Sequence, residues 1–511
     1  MKPNLKIQLL DLLYSLMGAL VLGSATAFFC KGSFWSSWLA AVVISLVVVF
    51  LLLKVWHRFG TGRALGTIML VAFILRVAFG ILSYSILPLW GYDTSTQNSG
   101  FLYSDAEGRD NDAYDLASSN NPLTMAFTDR KITDQYGGMM FLSALVYRIL
   151  SPDVSRPLLV MLLAAFAMTV GVAYLYAAVC SRWSEKMALW AGWIFALYPD
   201  GILVGSSQMR EPFLMGLACI AFWAILQWRE KPLKALIIPI VTMAVACSFS
   251  LPSGMVLAVI LIAVFLLDWS TRQQIKKRSI VGFIVLSLLG CAAIAGGWIW
   301  LRPTLYFDTF TTISSSGWIT SLIEKFGEQW KLPFVTIYGF TQPLLPAAIF
   351  EPSVPFWVTI AIIRGLAWYA ALPLLLFGGF EAWRMKEQNS WLIRLLCIIF
   401  FFWVVVSSMR AGGDLWDNPR YRFILLPFMA LIVAWAVEYF RQTRSPWLWR
   451  WTAVISVFLI FFTNFYAYRY TGTLGVYIQF VPMVAMVAGL CVLIPVGGLI
   501  ADRFGKKKPQ E

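Results

Sequence analysis

Carboxylates crowd one polar segment of this sequence. Between Asp93 and Asp134 the chain carries many more acidic than basic side chains. The acidic ones are Asp93, Asp105, Glu107, Asp110, Asp112, Asp115, Asp129 and Asp134, and the basic ones are Arg109, Arg130 and Lys131. Like charges held close together are typical of a general base, a cation site or both. The alternative is a solvated loop that only connects two helices.

The richest part of that segment is SDAEGRDNDAYDLAS, residues 104–118. Asp105, Asp110 and Asp112 are close enough along the chain to share one site. If this stretch is helical, Asp112 and Asp115 lie three residues apart on one face. The pattern therefore predicts a carboxylate site here without selecting one member of it.

An arginine and a glutamate stand side by side in YPDGILVGSSQMREP (Tyr198–Pro212). Arg210 and Glu211 fall between two apolar stretches, and Pro212 suits the first turn of a helix. Arg210 could contact a phosphate, while Glu211 could accept a hydrogen bond from a sugar hydroxyl or orient the arginine. The alternative is a mutual ion pair that caps the helix.

A second basic turn lies in MRAGGDLWDNPRYRF, residues 409–423. It combines three arginines with two aspartates, namely Arg410, Arg420, Arg422, Asp414 and Asp417. Guanidinium forks suit bidentate contact with phosphate, although the turn could instead be a structural salt-bridge cluster. Two more arginines, Arg76 and Arg364, fall inside apolar stretches, where an arginine usually faces an interior cavity or a carboxylate.

The composition predicts that membrane helices position these residues. The 511-residue chain is 59% apolar and 13% charged, with a mean hydropathy of +0.73. Apolar windows of about 20 residues recur along it, which predicts α-helical spans and not a transmembrane barrel. The net charge of +14 comes from Lys and Arg in short loops at span ends, a pattern of cytoplasmic loops and not of a nucleic-acid surface. The seven cysteines form no CxxC pair and His57 is the only histidine, so no disulfide framework, zinc site or histidine triad is expected.

About 14 spans are predicted, with both termini in the cytoplasm. They lie near residues 8–29, 37–55, 67–90, 157–180, 188–207, 211–228, 235–250, 253–268, 279–301, 354–380, 395–409, 421–440, 451–468 and 476–500. Residues 136–150 are too short to cross about 30 Å of hydrocarbon, and we expect a re-entrant or interfacial helix there. With that helix excluded from the count, the acidic segment, Arg210–Glu211 and the turn at 410–420 share the outer side.

Three parts of the chain are predicted. They are two N-terminal spans at 1–65, a central transmembrane catalytic module at 66–440 with outer loops 91–156 and 302–353, and C-terminal spans with a basic cytoplasmic tail at 441–511. We expect the first span to be retained, although its basic start and Ala25-Thr26-Ala27 also fit a signal peptide.

These motifs resemble the GT-C superfamily of membrane glycosyltransferases, which includes the protein O-mannosyltransferases and the aminoarabinose transferase of lipid A. In that superfamily an arginine-containing helix leads into an outer loop with an Asp-Glu-x-x-Tyr/Phe type motif. Asp110-Asn111-Asp112-Ala113-Tyr114 is similar to it, with Asn111 in place of the second acid. This departure leaves the catalytic acid open among Asp110, Asp105 and Asp112.

Further blocks extend the resemblance over roughly Gly66 to Phe440. A short apolar helix closes the loop in the superfamily, as residues 137–148 would here, and an outer arginine like Arg156 follows. The segments YPDGILVGSSQMREPFLMGL and NPRYRFILLPFMALIVAW are similar to later blocks of bacterial members. The two N-terminal spans are additions to this pattern.

The resemblance implies an inverting glycosyltransferase that moves a sugar from a polyprenyl-phosphate donor to an acceptor on the extracytoplasmic side. A carboxylate would take the acceptor's proton, and the order of preference is Asp110, Asp105 and Asp112. The departing phosphate needs positive charge, for which the candidates are Arg210, Arg420 and Arg422. The other substrate-binding candidates are Arg76, Tyr114, Asp134, Arg156 and Glu211.

The same resemblance implies the partners and the location. The acceptor would be a glycan, a lipid or a protein, and no nucleic acid is expected. No cofactor is expected either, although carboxylates also suit a divalent cation such as Mg²⁺ or Mn²⁺. The protein would be a multi-pass protein of a bacterial cytoplasmic (inner) membrane, with its active site facing outward.

Other functions fit the sequence less well. A transporter or flippase for lipid-linked saccharides would place essential charges at mid-membrane, whereas these carboxylates gather at the outer edge. O-antigen polymerases and ligases rely on arginines in large outer loops and lack an acidic first loop of this kind. A purely structural membrane scaffold would need neither the crowded carboxylates nor the arginines.

Overall fold

The structure is a computed structural model that describes residues 3–129, 131, 133–272, 327, 329, 331–385, 390–411 and 418–505. Within these residues every regular element is a helix. The first helices are α1 (Pro3–Phe29), α2 (Phe34–Arg58), α3 (Arg63–Trp90), α4 (Ser95–Asn98), α5 (Ser104–Ser118), a 3₁₀ helix (Leu123–Phe127), α6 (Gly138–Leu150), α7 (Pro157–Arg182), α8 (Glu185–Leu197), α9 (Pro199–Gly205), α10 (Glu211–Leu226), α11 (Pro232–Phe249) and α12 (Leu251–Arg272). The later ones are α13 (Lys331–Thr341), α14 (Leu345–Phe350), α15 (Pro355–Arg384), α16 (Ser390–Ala411), a 3₁₀ helix (Asn418–Leu425), α17 (Leu426–Thr443), α18 (Trp447–Thr471) and α19 (Phe480–Gly505).

Membrane-spanning length is common among these helices. Among the described residues, 11 helices are long and apolar enough to cross a membrane, or 12 if α8 and α9 form one bent span. The prediction of an all-α polytopic membrane bundle is thus confirmed. Helix α10 has 16 residues and falls short of that length, and the predicted span at 279–301 lies outside the described residues.

The predicted span at 188–207 is not one straight helix. It breaks at Tyr198 into α8 and α9, which meet at 56°. Pro199 occupies the first turn of α9, where a missing N–H costs no helical hydrogen bond. A proline also disfavours the helical conformation in the residue before it, and Tyr198 is extended. Because α8 ends at this break, its last backbone carbonyls have no helical N–H donors and need other partners.

The chain forms two compact units. One comprises Met1–Trp300 and Phe423–Ala430, and the other comprises Leu301–Arg422 and Leu431–Glu511. In the first unit α7 packs against α2, α3, α8 and α10. Small residues allow a close approach between α7 and α10, since a Cβ on Gly171 of α7 would lie 3.1 Å from the Gly216 Cα of α10. In the second unit α15 packs against α14, α16 and α18, and α18 against α19.

The acidic segment folds into a layer of short helices, α4 to α6, which we call the acidic layer. Helices α5 and α6 pack against each other and against the 3₁₀ helix Leu123–Phe127. Helix α6 has 13 residues and is about 20 Å long, which is too short for a hydrocarbon core of about 30 Å. It remains a candidate for a re-entrant or interfacial helix, and together with α5 it positions the carboxylates.

Candidate active site

Helix α5 sorts the acidic side chains by exposure. Its buried residues recur at helical spacing and are Ala106, Arg109, Asp110, Ala113 and Leu116. Asp105 and Asp112 are partly exposed, and Asp115 is exposed. Helix α5 therefore presents a single carboxylate, that of Asp110, to the protein interior.

Asp110 is a buried carboxylate with three hydrogen-bond donors. It is 2% exposed. Oδ1 accepts from Gln208 Nε2 at 2.9 Å and from the Tyr147 hydroxyl, and Oδ2 accepts from the Ser155 hydroxyl at 2.5 Å. The donors come from α6, from the loop before α7 and from the turn before α10, and we call the four residues the carboxylate cluster. A carboxylate can accept about four hydrogen bonds, and three of these are made here by protein side chains.

The surroundings of Asp110 make it a better proton acceptor than an exposed aspartate. Burial raises its pKa above the ordinary value of 3.8, and hydrogen bonds from Ser155, Tyr147 and Gln208 oppose part of that rise. Burial, together with the charge of Asp110, also raises the pKa of Tyr147 well above its ordinary range. Tyr147 therefore stays protonated and keeps donating to the carboxylate.

Arg109 fixes α5 to two neighbouring segments. It is 2% exposed, and it donates from Nε to the Thr133 carbonyl at 2.9 Å and from Nη1 to the Gln208 carbonyl at 3.1 Å. Its Nη2 lies 3.9 Å from Asp105 Oδ2. Because Arg109 holds the backbone of Gln208, it positions one of the donors to Asp110.

The other acids and the tyrosine of the sequence motif lie around this cluster. The Asp105 side chain is 41% exposed. Asp112 accepts a hydrogen bond from the Thr133 hydroxyl, in the segment before α6. The half-buried Tyr114 ring meets the Tyr147 ring edge to face, with 6.1 Å between the ring centres. Tyr114 thus borders the cluster, while Asp105 and Asp112 lie on more exposed faces of α5.

Asp134 is a helix cap in the structure. Its Oδ1 accepts from the backbone N–H groups of Tyr136 at 3.3 Å and Gly137 at 3.2 Å, and its Oδ2 accepts from that of Met140 at 2.7 Å. N–H groups at a helix start lack helical partners, and a carboxylate there satisfies them. Both oxygens of Asp134 serve α6, so its predicted contact with the sugar or acceptor has no support in this geometry.

Arg156 is fully buried and uses all of its donors within the protein. Nε donates to Ser37 Oγ at 2.8 Å, Nη1 to Ser151 Oγ and Asp153 Oδ1, and Nη2 to Ser36 Oγ and Asp153 Oδ2, each at 2.6 to 2.7 Å. Its hydrogen bonds lower the pKa of Asp153 to about 2. A guanidinium has five N–H donors, so none is left for the predicted contact with substrate. Arg156 instead joins α2 to the loop before α7.

Arg76, predicted to face a cavity, a carboxylate or the substrate, donates hydrogen bonds to backbone carbonyls. It is fully buried in α3 and donates to the backbone carbonyls of Ala72, Phe195 and Ala196 at 2.8, 3.2 and 3.1 Å. Phe195 and Ala196 belong to the last turn of α8, whose carbonyls have no helical donors. The intramembrane arginine therefore caps a broken span through Nη1 and Nη2, while its buried Nε has no hydrogen-bond partner among the described residues.

Arg210 and Glu211 lie side by side without pairing. The half-buried Arg210 guanidinium lies 5.7 Å from the centre of the Tyr136 ring and forms no ion pair among the described residues. Glu211 is 2% exposed, and its Oε2 has no hydrogen-bond partner within the described part of the chain. Burial lowers the pKa of Arg109, and the charge of Arg210 adds to that effect, so the turn before α10 lies close to α5. A half-buried cation without an ion pair and a buried carboxylate oxygen without a hydrogen bond thus lie next to the acidic layer, as far as the described residues show.

A pocket borders the carboxylate cluster at Gln208. It encloses about 330 Å³ of empty space, part of it open to solvent, and its lining includes Ser83, Tyr84 and residues 206–208. The Tyr84 hydroxyl and Gln208 Oε1 are buried and have no partner among the described residues. An unsatisfied buried polar atom costs about 1–3 kcal/mol, so ligand hydroxyls or water that bond these atoms would be stabilising.

Arg420 and Arg422 belong to the second unit. Arg422 is 2% exposed and donates to the backbone carbonyls of Phe340, at 3.3 Å, and Gln342. Its guanidinium carbon lies 3.8 Å from the centre of the Trp368 ring. Arg420 is half-buried. The predicted features that lie outside the described residues are the Arg410 side chain, Asp414, Asp417 and most of the loop 302–353.

The described residues of the acidic layer form no cluster of metal ligands. Among the described residues no group of three or more His, Cys, Asp or Glu side chains could hold a metal ion. Asp110 accepts three hydrogen bonds, and Asp112 accepts one from Thr133. Their oxygens face protein donors and do not converge on one point.

Sequence reasoning missed three members of the carboxylate cluster. Gln208 ends the polar run 206–208 between apolar stretches, and that interruption was a usable signal. Tyr147 sits on an apolar helix and Ser155 in a short loop, and neither has a pattern that sets it apart. Only the packing of α6 and the loop before α7 against α5 brings them to Asp110.

No model of a known protein family matches this sequence, and no curated protein matches it. Among solved structures the chain is similar to the archaeal oligosaccharyltransferase AglB from Archaeoglobus fulgidus in complex with an inhibitory peptide and a dolichol-phosphate, at 13% identity and a TM-score of 0.41 over 82% of this chain and 57% of that one. It is also similar to the Archaeoglobus fulgidus oligosaccharyltransferase in complex with Zn and sulfate, at 13% identity and a TM-score of 0.38 over 82% of this chain and 54% of that one. This chain therefore spans a little over half the length of the oligosaccharyltransferases that it matches. Similarity at this level identifies neither a donor nor an acceptor.

Proposed function

We propose that this chain is an inverting glycosyltransferase that moves a sugar from a polyprenyl-phosphate donor to a glycan, lipid or protein acceptor. The reaction would take place on the extracytoplasmic face of a bacterial cytoplasmic membrane. One observation carries the proposal: Asp110 is a buried carboxylate with a raised pKa that three side chains hold in place, in a layer of short helices between membrane spans. Such a group is suited to general base catalysis.

The residues around Asp110 suit a direct displacement. The acceptor hydroxyl attacks the anomeric carbon, its proton passes to Asp110, and a new glycosidic C–O bond forms. The bond between the anomeric carbon and the phosphate oxygen breaks, and the lipid phosphate leaves as an anion. Arg210 has no ion pair among the described residues and would stabilise that anion, while Glu211 Oε2 would accept from a sugar hydroxyl.

The test is sugar transfer by the purified full chain in nanodiscs. The donors are a panel of polyprenyl-phosphate sugars, the acceptor is a crude cell-envelope fraction, and the release of polyprenyl phosphate is followed. Wild type is compared with Asp110→Asn and with Asp115→Asn, which removes an exposed carboxylate from the same helix. We expect transfer by wild type and Asp115→Asn and none by Asp110→Asn.

A companion assay in sealed proteoliposomes separates the competing functions. Movement of the lipid-linked donor between the two leaflets without release of polyprenyl phosphate would favour the transporter or flippase. Transfer of a whole glycan in place of one sugar would favour a polymerase or ligase. A full rate in Asp110→Asn would reject Asp110 as the base.

A further inference from the structure

The loop between α1 and α2 lies against the residues that hold Asp110. Gly32 is the point of contact: a Cβ there would lie 2.9 Å from Val154 Cγ1 and 3.1 Å from Arg156 Nη2. Its φ of +88° also favours glycine. Between Val154 and Arg156 stands Ser155, which donates to Asp110. The loop of the N-terminal hairpin thus touches both neighbours of a cluster member.

Hydrogen bonds fix this contact. Ser36 and Ser37, in the first turn of α2, accept from Nη2 and Nε of Arg156 at 2.7 and 2.8 Å. Ser36 also donates to Asp153 Oδ2 at 3.2 Å. A buried, fully bonded arginine holds its partners in one geometry, so the loop has a defined position beside the cluster.

Lys31 is the charged residue of this loop. Its side chain is exposed and has no carboxylate partner among the described residues. It precedes Gly32, which lies against Val154 and Arg156, and consecutive Cα atoms are about 3.8 Å apart, so its flexible side chain begins beside the segment that carries Ser155. Its charge also acts on Asp110, where it works against the rise in pKa that burial causes.

The neighbours of Lys31 place it at the depth of lipid headgroups. The aromatic side chains on either side of the loop are exposed, with Phe28 at 79% and Trp35 at 72%. Exposed aromatic residues at the ends of membrane helices are typical of the membrane–water interface. The phosphate of a lipid-linked substrate lies at that same depth.

We propose that Lys31 binds the phosphate of the polyprenyl-linked substrate, so that the N-terminal hairpin forms part of the active site. This inference rests on the proposed function. Lys31 supplies a cation from the hairpin, in addition to Arg210 at the start of α10, and it keeps the lipid phosphate near the base. The hairpin is then not an accessory to the catalytic module but one wall of its site.

Binding of polyprenyl phosphate without a sugar tests this directly. The full chain is placed in nanodiscs of zwitterionic lipid, and wild type is compared with Lys31→Ala, Lys31→Arg and Lys131→Ala. Lys131 is an exposed lysine of the same unit that lies 3.3 Å from an Asp129 oxygen, and it serves as the control for loss of a surface charge. We expect Lys31→Ala to bind about tenfold more weakly, the scale of one charged hydrogen bond, and the other two variants to bind like wild type.

A second variant tests the position of the lysine. Gly32→Ala keeps Lys31 but places a methyl group against Val154 and Arg156. The loop should shift, and polyprenyl phosphate should bind more weakly than to wild type, as for Lys31→Ala. Equal binding by wild type and Lys31→Ala would overturn the inference. So would a wild-type affinity that falls to that of Lys31→Ala when anionic lipid is added, because Lys31 would then serve bulk headgroups.

These outcomes are distinct from a failure of the proposed function. Wild type that binds polyprenyl phosphate through Lys31 but transfers no sugar would reject the glycosyltransferase and leave the lysine contact standing. If wild type transfers sugar and Lys31→Ala has an unchanged affinity for polyprenyl phosphate and an unchanged KM for the donor, only the proposed lysine contact is rejected.

Discussion

Asp110 and Asp134 are two buried carboxylates of the same acidic layer, and each accepts three hydrogen bonds. The donors to Asp134 are backbone N–H groups at the start of α6. The donors to Asp110 are side chains from three separate segments. The first set is fixed by the helix itself, whereas the second exists only when the segments are packed together.

The difference is the one expected between a structural carboxylate, Asp134, and the proposed base, Asp110. A helix start supplies unsatisfied N–H groups and a favourable dipole, so a charged cap there stabilises the fold. Burial of Asp110 works against its charge, and the protein holds it with hydroxyl and amide groups in place of a salt bridge. A carboxylate kept in a costly environment is typical of a functional site.

Asp110→Asn should have the largest effect. We expect kcat for sugar transfer to fall by about 10³-fold, since the amide cannot take the acceptor's proton. The melting temperature in detergent should stay near that of wild type, because the substitution preserves size. Asp115→Asn, on the exposed face of α5, should keep the kcat and the melting temperature of wild type. A folded Asp110→Asn variant with undiminished kcat would remove the contrast with Asp134.

Asp134→Ala should act on stability. Loss of the cap of α6 should cost about 1–2 kcal/mol, seen as a lower melting temperature, while kcat per folded molecule changes little. Asp134→Asn should restore most of the lost stability, because its amide oxygen still accepts from backbone N–H groups. If Asp134→Ala melted like wild type but lost transfer, Asp134 would belong to the site after all.

Ser155→Ala should shift the pH dependence of transfer. Asp110 must be ionised to act as a base, so kcat/KM should fall as the pH drops through its pKa. Burial raises that pKa, and the hydrogen bond from Ser155 lowers it. Removing the hydroxyl should therefore move the acid limb to higher pH and reduce the rate at neutral pH by up to about tenfold.

The control for this prediction is Ser118→Ala, which removes a hydroxyl that bonds only the backbone of α5. Its acid limb should coincide with that of wild type. An acid limb of Ser155→Ala that moved to lower pH would contradict the assignment of Asp110 as the titrating group.

Much of the fold could be predicted from the sequence, because apolar windows of membrane length require helices in lipid. The break at Tyr198 was missed, although Pro199 signalled it, since a hydropathy window averages over one residue. The short apolar run 136–150 predicted a helix of less than membrane length, and α6 has 13 residues.

Less of the candidate site could be predicted. The crowding of acids and the motif at Asp110 pointed to α5, the helix that carries the buried carboxylate, but the contacts of Arg76, Arg156 and Asp134 could not be read from residue type. A buried arginine satisfies itself with whatever carbonyls or hydroxyls the packing brings near, and no local pattern encodes those partners. The hydrogen bond from Tyr147 to Asp110 depends on the packing of α6 against α5, which the sequence pattern does not encode.

Asp105→Asn should have the smallest effect and gives the finest test of which acid is the base. The Asp105 carboxylate is 41% exposed and lies 3.9 Å from Arg109 Nη2, and such exposed pairs contribute about 0.2–1 kcal/mol. Arg109 keeps its bonds to the carbonyls of Thr133 and Gln208 without Asp105. We therefore expect kcat to fall no more than about threefold, with an unchanged acid limb. If Asp105→Asn lost transfer and Asp110→Asn kept it, Asp105 would be the base. The buried Asp110 carboxylate would then have a structural role only.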